Sequence, residues 1–306
     1  MSSPTDATTA ESAPADFSLT ASGNLRRRAA VSRVVEAGAT ASALAAVAVL
    51  GVVVFGVVKR GASSISLAFL TKNPPQFGGP GGGIASAIIG TVMIVALAAV
   101  IAVPVGVLTA LYLTEFAGRQ SRFAAVLELA LNLMQGLPTV IVGLFVFGLL
   151  VEGRGNSGFA GAIALSIVML PLIARSSQEV LLLVPDNLRE AADALGVSRW
   201  RTVVGVILPA ALSGIVTGSI LAIARAAGET APLLFVDSLY TPGVQLNLFG
   251  HAVPNIPVMI FTLSEGADPS GVARAWGAAL VLLAVILAAN IGARVLLARS
   301  RSRSTR

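Results

Sequence analysis

Six apolar runs alternate along this chain with more polar, charged or glycine-rich segments. They cover about residues 37–58, 84–114, 123–151, 158–174, 210–227 and 276–297. A helix needs roughly 17–25 apolar residues to cross a bilayer. The pattern therefore predicts an all-α membrane protein with six transmembrane helices. The second and third runs exceed a perpendicular span, and each holds a mid-run proline, Pro104 and Pro138. Tilting or kinking is expected there, with the freed carbonyls covered by neighbouring helices.

Residues 1–24 are mostly Ser, Thr, Ala and Pro, with three acids and no periodicity. They predict a disordered cytoplasmic tail, carried to residue 33 through Arg26, Arg27, Arg28 and Arg33. The first apolar run is longer than the core of a cleaved signal peptide, so it reads as a retained helix. A transmembrane domain at 34–299 follows, with its core at 84–297, and a basic cytoplasmic tail at 300–306. Two connections are too long for simple turns, 175–209 and 228–273, and loops of that size tend to carry function. No internal repeat is evident, which disfavours an inverted-repeat secondary transporter.

Composition sharpens this picture. Hydrophobic residues make up 55% of the 306 and charged residues 12%, against about 25% charged in soluble domains. That excludes an ordinary cytoplasmic enzyme and a disordered chain. With no cysteine and a single histidine, His251, there is no disulfide framework and no thiolate or multi-histidine metal site. The net charge of +6 is explained by sidedness rather than by nucleic acid. With both termini in the cytoplasm, fifteen of the 21 Lys and Arg fall inside, and five fall outside: Lys59, Arg60, Lys72, Arg154 and Arg274. The last, Arg225, lies within a span. This is the positive-inside distribution, and its weak point is the Lys59–Arg60 pair at the outer end of the first span.

A Walker A loop needs a lysine after its glycines to hold phosphates. Neither Lys59 nor Lys72 is so placed, and the Gly78–Gly83 run reads as a flexible outer loop. No cofactor is expected on this chain. His251 reads as an ordinary loop residue.

The inner loop reads VPDNLREAADALGVSRWRTVVGVILPAAL. Asp186 is placed to cap a short amphipathic helix over 188–195, Gly196 to end it in a left-handed turn, and Ser198 to cap a second helix. Pro209 marks the entry to the fifth span. A helix–Gly–helix across the membrane face is a mechanical lever. The loop resembles the EAA motif of ABC-importer permeases: Glu190, Ala191, Ala192, Gly196, then Val206, Leu208 and Pro209, with Val206 standing where the pattern has Ile. The resemblance implies a coupling helix that docks on an ATPase subunit, with Glu190, Ala191, Ala192 and Gly196 in that role.

Arg225 and Glu229 stand four residues apart, an i, i+4 spacing on one helical face. Gly214, Gly218, Ala222 and Ala226 form a small-residue stripe beside Arg225, suited to close helix packing. A membrane-embedded charge normally faces a cavity or a partner. A structural Arg225–Glu229 pair and a pathway role are both compatible with the spacing. In the third span, Glu128, Asn132 and Gln135 share a face that suits either lining a pathway or, the favoured reading, bonding to neighbouring helices.

The surrounding ARAAGETAPLLF resembles the ARxxGETAPLLF signature of PstA-type phosphate permeases, and the similarity covers about residues 84–297. It implies the type I ABC importer permease (MetI-like) fold in a prokaryotic cell membrane. It also implies a pathway role for Arg225, Glu229 and Arg175, although a positive-inside anchor fits Arg175 equally well. Implied partners are a PstC-like permease, a PstB-like ATPase dimer carrying ATP and Mg, and an extracytoplasmic phosphate-binding protein. The outer loop 228–273, with Pro232, Pro242, Pro254 and Pro257, is the expected docking site for that protein. The rival readings are a permease for molybdate or sulfate, and an ATP-independent carrier.

Overall fold

The computed structural model describes residues 23–75, 81–118, 120–238 and 243–304. Residues 1–22 of the expected tail, residues 78–80 of the glycine-rich run, Arg119, Pro242 and the last two residues lie outside them. The chain divides into two units, residues 1–55 and 56–306.

The described part of the first unit is one helix, the greater part of α1 (Gly23–Gly61). Residues 23–33, expected in the disordered tail, belong to this helix. Arginine and alanine are strong helix formers, so a basic, alanine-rich segment extends the helix rather than ending it.

The second unit continues through α2 (Leu67–Thr71), α3 (Ala85–Leu111), α4 (Arg122–Gly136), α5 (Thr139–Val146) and α6 (Gly158–Leu182). Then come α7 (Asp186–Ala194), α8 (Arg199–Thr202), α9 (Leu208–Ala226), α10 (Ala231–Val236), α11 (Ile256–Glu265) and α12 (Pro269–Ser304). No strand occurs among the described residues. Wide π-type turns extend α3 (Tyr112–Phe116) and α5 (Phe147–Val151), and a third (Val203–Ile207) joins α8 to α9. Serine side chains cap three helices: Ser66, Ser121 and Ser157 accept the backbone N–H of Phe69, Ala124 and Ala160.

Five helices are long and apolar enough to cross a membrane, or six when one bent pair is counted as a single span. That pair corrects the third expected span: α4 and the α5 segment meet at 103°. Pro138 supplies no N–H and forces Leu137 into extended backbone, with φ −72° and ψ 131°. Pro104, in contrast, stays inside an unbroken α3. The fourth span runs to Leu182, eight residues past its expected end. Ser176, Ser177, Gln178 and Glu179 lower the hydropathy there without stopping the helix. Residues 300–304, expected in the basic tail, continue α12.

The bundle core lies along α3, α6 and α9, where small side chains let backbones approach. Ala98, Ala102, Ala162, Leu165, Met169 and Ile173 are wholly buried. A Cβ on Gly214 would stand 2.5 Å from Val180, and one on Gly218 would stand 2.6 Å from the Ser176 hydroxyl. These contacts realise the predicted small-residue stripe and set α9 antiparallel to α6.

The 228–273 connection is not a plain surface loop. It contains α10 and α11, and its 252–259 segment is buried. The Pro254 carbonyl lies against Gly90 of α3, where any Cβ would collide with it. Pro232, Pro254 and Pro257 are all buried, so these prolines shape the core rather than an outer docking surface. Arg60 has a local explanation as well: its guanidinium sits 4.8 Å from the centre of the Trp276 ring, a cation–π contact.

Candidate functional site

The connection between α6 and α9 folds as a helix, a glycine turn and a second helix. Pro185 is the residue that caps α7, and Asp186 opens the helix with its carboxylate turned to Arg189 at 3.0 Å. The acid still favours a helix N-terminus electrostatically, but it makes no capping bond. Gly196 has φ +68°, a conformation that glycine adopts without strain. Ser198 precedes α8 without a side-chain cap. Glu190, Ala191 and Gly196 are exposed, and Ala192 is turned inward at 8% exposure. The exposed set is thus presented on the outer side of the loop.

What fixes this loop to the bundle has no signature in the local sequence. Glu115, in the wide turn ending α3, is 2% exposed. Arg189 donates to its Oε1 through Nη2 at 2.7 Å, and through Nε at 3.3 Å to both oxygens. Arg189 also donates to the carbonyls of Val184 at 2.7 Å and Leu181 at 3.0 Å. Hydrogen bonding to Glu115 holds the Arg189 guanidinium above its usual range. From the second helix, Arg199 donates to the Glu115 carbonyl at 2.6 Å, and its Nη2 lies 3.9 Å from Oε2.

A second polar group lies between α4 and α6. Arg175 donates to Gln178 Oε1 at 2.9 Å and to Asn132 Oδ1. Asn132 therefore bonds a neighbouring helix, as its face predicts, while Glu128 and Gln135 are exposed. Arg175 lies seven residues before the end of α6, roughly 10 Å along the axis, and so is not at the helix terminus.

The Arg225–Glu229 pair that the spacing allows is not formed: no ion pair within 4.0 Å joins them among the described residues. The i, i+4 spacing needs a continuous helix, and α9 ends at Ala226. Residues 227–230 form a turn before α10 begins. Arg225 is exposed while Ala224 and Ala226 on either side are buried, and Glu229 is half-buried. The Gly214–Val180 and Gly218–Ser176 contacts, extended along α9, place Arg225 level with Met169. That is about 9 Å along the bundle axis from the level of Arg175.

A groove between α3, α9, α11 and α12, lined by Val92, Val95, Ile220, Ile223 and Leu282, is almost wholly apolar. An oxyanion there would lose its hydration without gaining donors. Among the described residues, no cluster of His, Asp and Glu is arranged to hold a metal ion.

The model of one protein family, the binding-protein-dependent transport system inner membrane component, matches residues 102–302. The chain belongs to this family. The permease is 41% identical over 226 residues to the phosphate transport system permease protein PstA 1 of Mycobacterium tuberculosis, covering 73% of this chain and 71% of the relative. It is 39% identical over 250 residues to PstA of Yersinia pestis, covering 81% and 84%. It is 37% identical over 244 residues to PstA of Haemophilus influenzae, covering 79% and 85%. Within the family the permease is thus of the PstA type. Its fold is that of type I ABC importer permeases. A chain of a bacterial alginate ABC transporter superposes with a TM-score of 0.60 at 16% identity, over 89% of the permease and 97% of that chain. A chain of the MetNI methionine ABC transporter gives 0.55 at 18%, over 71% and 94%.

Proposed function

We propose that the permease is a membrane subunit of an ATP-driven phosphate importer. It shares a translocation pathway with a second, PstC-like permease and receives ATP-driven motion through α7 and the Gly196 turn. The observation that carries this reading is identity near 40% with permeases named for phosphate transport, over most of both chains. An exposed arginine at an interrupted helix supports it. A guanidinium fork bonds two phosphate oxygens at once.

In this reading Arg225 receives phosphate, and Arg175 offers a second positive charge about 9 Å further along. Glu229 keeps the attraction weak enough for release. Glu190, Ala191, Ala192 and Gly196 form the surface presented to a PstB-like ATPase dimer, where ATP and Mg are bound. An extracytoplasmic phosphate-binding protein delivers substrate at the opposite face. The termini lie in the cytoplasm, in keeping with the positive-inside distribution.

The test is uptake of labelled phosphate by vesicles holding the complete importer. Arg225→Gln is expected to lower uptake at least about tenfold, the scale of one lost charge-assisted contact. Excess molybdate or sulfate is expected to leave wild-type uptake unchanged. An inserted, assembled wild-type complex that moves no phosphate would shift the reading to another oxyanion. Uptake without the ATPase subunit would shift it to an ATP-independent carrier.

A further inference from the structure

The Glu115 side chain is entirely enclosed at 0% exposure, and its guanidinium partner Arg189 is 18% exposed. Removing one partner of a buried ion pair is strongly destabilising, so the position of each partner constrains the other. Here those partners come from separate elements. Arg189 belongs to α7 and is itself held by the carbonyls of Leu181 and Val184, which end α6. Arg199 opens α8, which runs into α9, and bonds the Glu115 backbone. One residue thereby ties together the ends of α3 and α6, the coupling helix, and the start of α8.

Two wide turns flank this junction, Tyr112–Phe116 and Val203–Ile207. Leu111, Leu181, Val184, Val203 and Ile207 pack into one buried cluster beside it. Wide turns of this kind concentrate at functional sites. Tightening one to α geometry removes about one residue of slack, near 1.5 Å of axial travel.

We propose that Glu115 is the positioning residue that makes α3 follow the coupling loop. Force on α7 moves Arg189, and the carboxylate draws the end of α3 with it. This rests on the ATP-coupled reading above, but not on phosphate as the substrate.

The chain has no cysteine, so cysteines introduced in pairs can be spin-labelled without background from it. Ala194 in α7 and Val100 in α3 are both exposed and suit this purpose. In the complete importer, the 194–100 distance is measured with and without a non-hydrolysable ATP analogue. The parent pair is expected to keep its distance, because loop and helix move together. In Glu115→Gln the distance is expected to change with nucleotide, and substrate imported per ATP to fall at least about fivefold, the low end of measured coupling. The paired replacement Glu115→Leu with Arg189→Met removes both partners, a change that commonly leaves stability intact. It is expected to assemble normally and still lose coupling. A nucleotide-dependent distance in the parent, or no nucleotide effect in Glu115→Gln, would overturn the proposal, as would full coupling in the paired replacement. Distances that behave as expected in a complex that imports no phosphate would retain the role of Glu115 and reject the substrate.

Discussion

Asp237 lies one residue beyond α10, in the connection that follows it, and is 1% exposed. Its Oδ1 accepts the Val253 N–H at 2.7 Å, and Oδ2 accepts Asn255 Nδ2 at 3.1 Å. These bonds favour the charged form, but burial outweighs them and raises the pKa from 3.8 to about 7. The folded protein therefore binds a proton more tightly than the unfolded chain. The stability it gains is full below the unfolded pKa and is lost as pH rises towards 7. Between about pH 5.5 and pH 8 the remaining loss is about 2 kcal/mol, at 1.36 kcal/mol per unit. Asp237→Asn removes this dependence. Its amide nitrogen would face Asn255 Nδ2, donor to donor, which costs about 1 kcal/mol at every pH. The assay is chemical unfolding in mixed micelles across this range, comparing parent and variant. The other titratable groups are common to both and cancel in the difference. The difference should move by about 2 kcal/mol in favour of the variant as pH rises. Parallel curves would show that Asp237 is ionised throughout and that the desolvation argument is wrong.

Further substitutions probe helix packing and the Gly196 turn. Gly218→Val places a methyl-bearing Cβ 2.6 Å from the Ser176 hydroxyl and should cost about 1–3 kcal/mol in the same unfolding assay. Gly205→Ala, with nothing within 4 Å of the new Cβ, is its control. Gly196→Ala, at φ +68°, should strain the turn by about 1–2 kcal/mol. It should reduce retention of the ATPase subunit on the purified permease while membrane insertion is unchanged. Equal retention would show that the turn is not needed in that form.

Local signals carried the parts of the fold that depend on local physics. Hydropathy located the spans, Gly196 marked a left-handed turn, and a four-residue repeat of small residues marked the face of α9 that meets α6. Pro104 and Pro138 look alike in sequence yet have opposite outcomes. Near Pro104, Gly106 lies against Ile173 of α6, and α3 runs on without a break. Gly136, beside Pro138, has nothing within 4 Å of a Cβ, and the chain bends there. Glu115 was illegible because its partners lie 74 and 84 residues away, and no periodicity links them. The 228–273 connection was read as a docking loop, and no local pattern marks its buried 252–259 stretch, which packs on α3 more than 160 residues away in sequence.

The break between α9 and α10 is where fold and proposed function meet. Ala222, Ala226 and Leu233 share one buried cluster with Leu165 and Met169, so the interruption at 227–230 lies within the apolar bundle. Its backbone is partly satisfied locally: the N–H groups of Gly228 and Glu229 donate to Arg225 and Ala226 at 3.1 Å each, and Leu234 donates to Thr230 at 3.1 Å. Irregular backbone at such depth persists only where protein buries it or water reaches it. Arg225 extends from this break on the exposed side. An arginine facing lipid at the bilayer centre costs about 2.5–3.5 kcal/mol or more, and Glu229, the nearest acid in sequence, does not pair with it. A second permease covering this face, with a hydrated path between the two, would remove that cost and leave the guanidinium free for an oxyanion. The pathway role proposed for Arg225 thus asks for such a covering partner and not for a pair with Glu229.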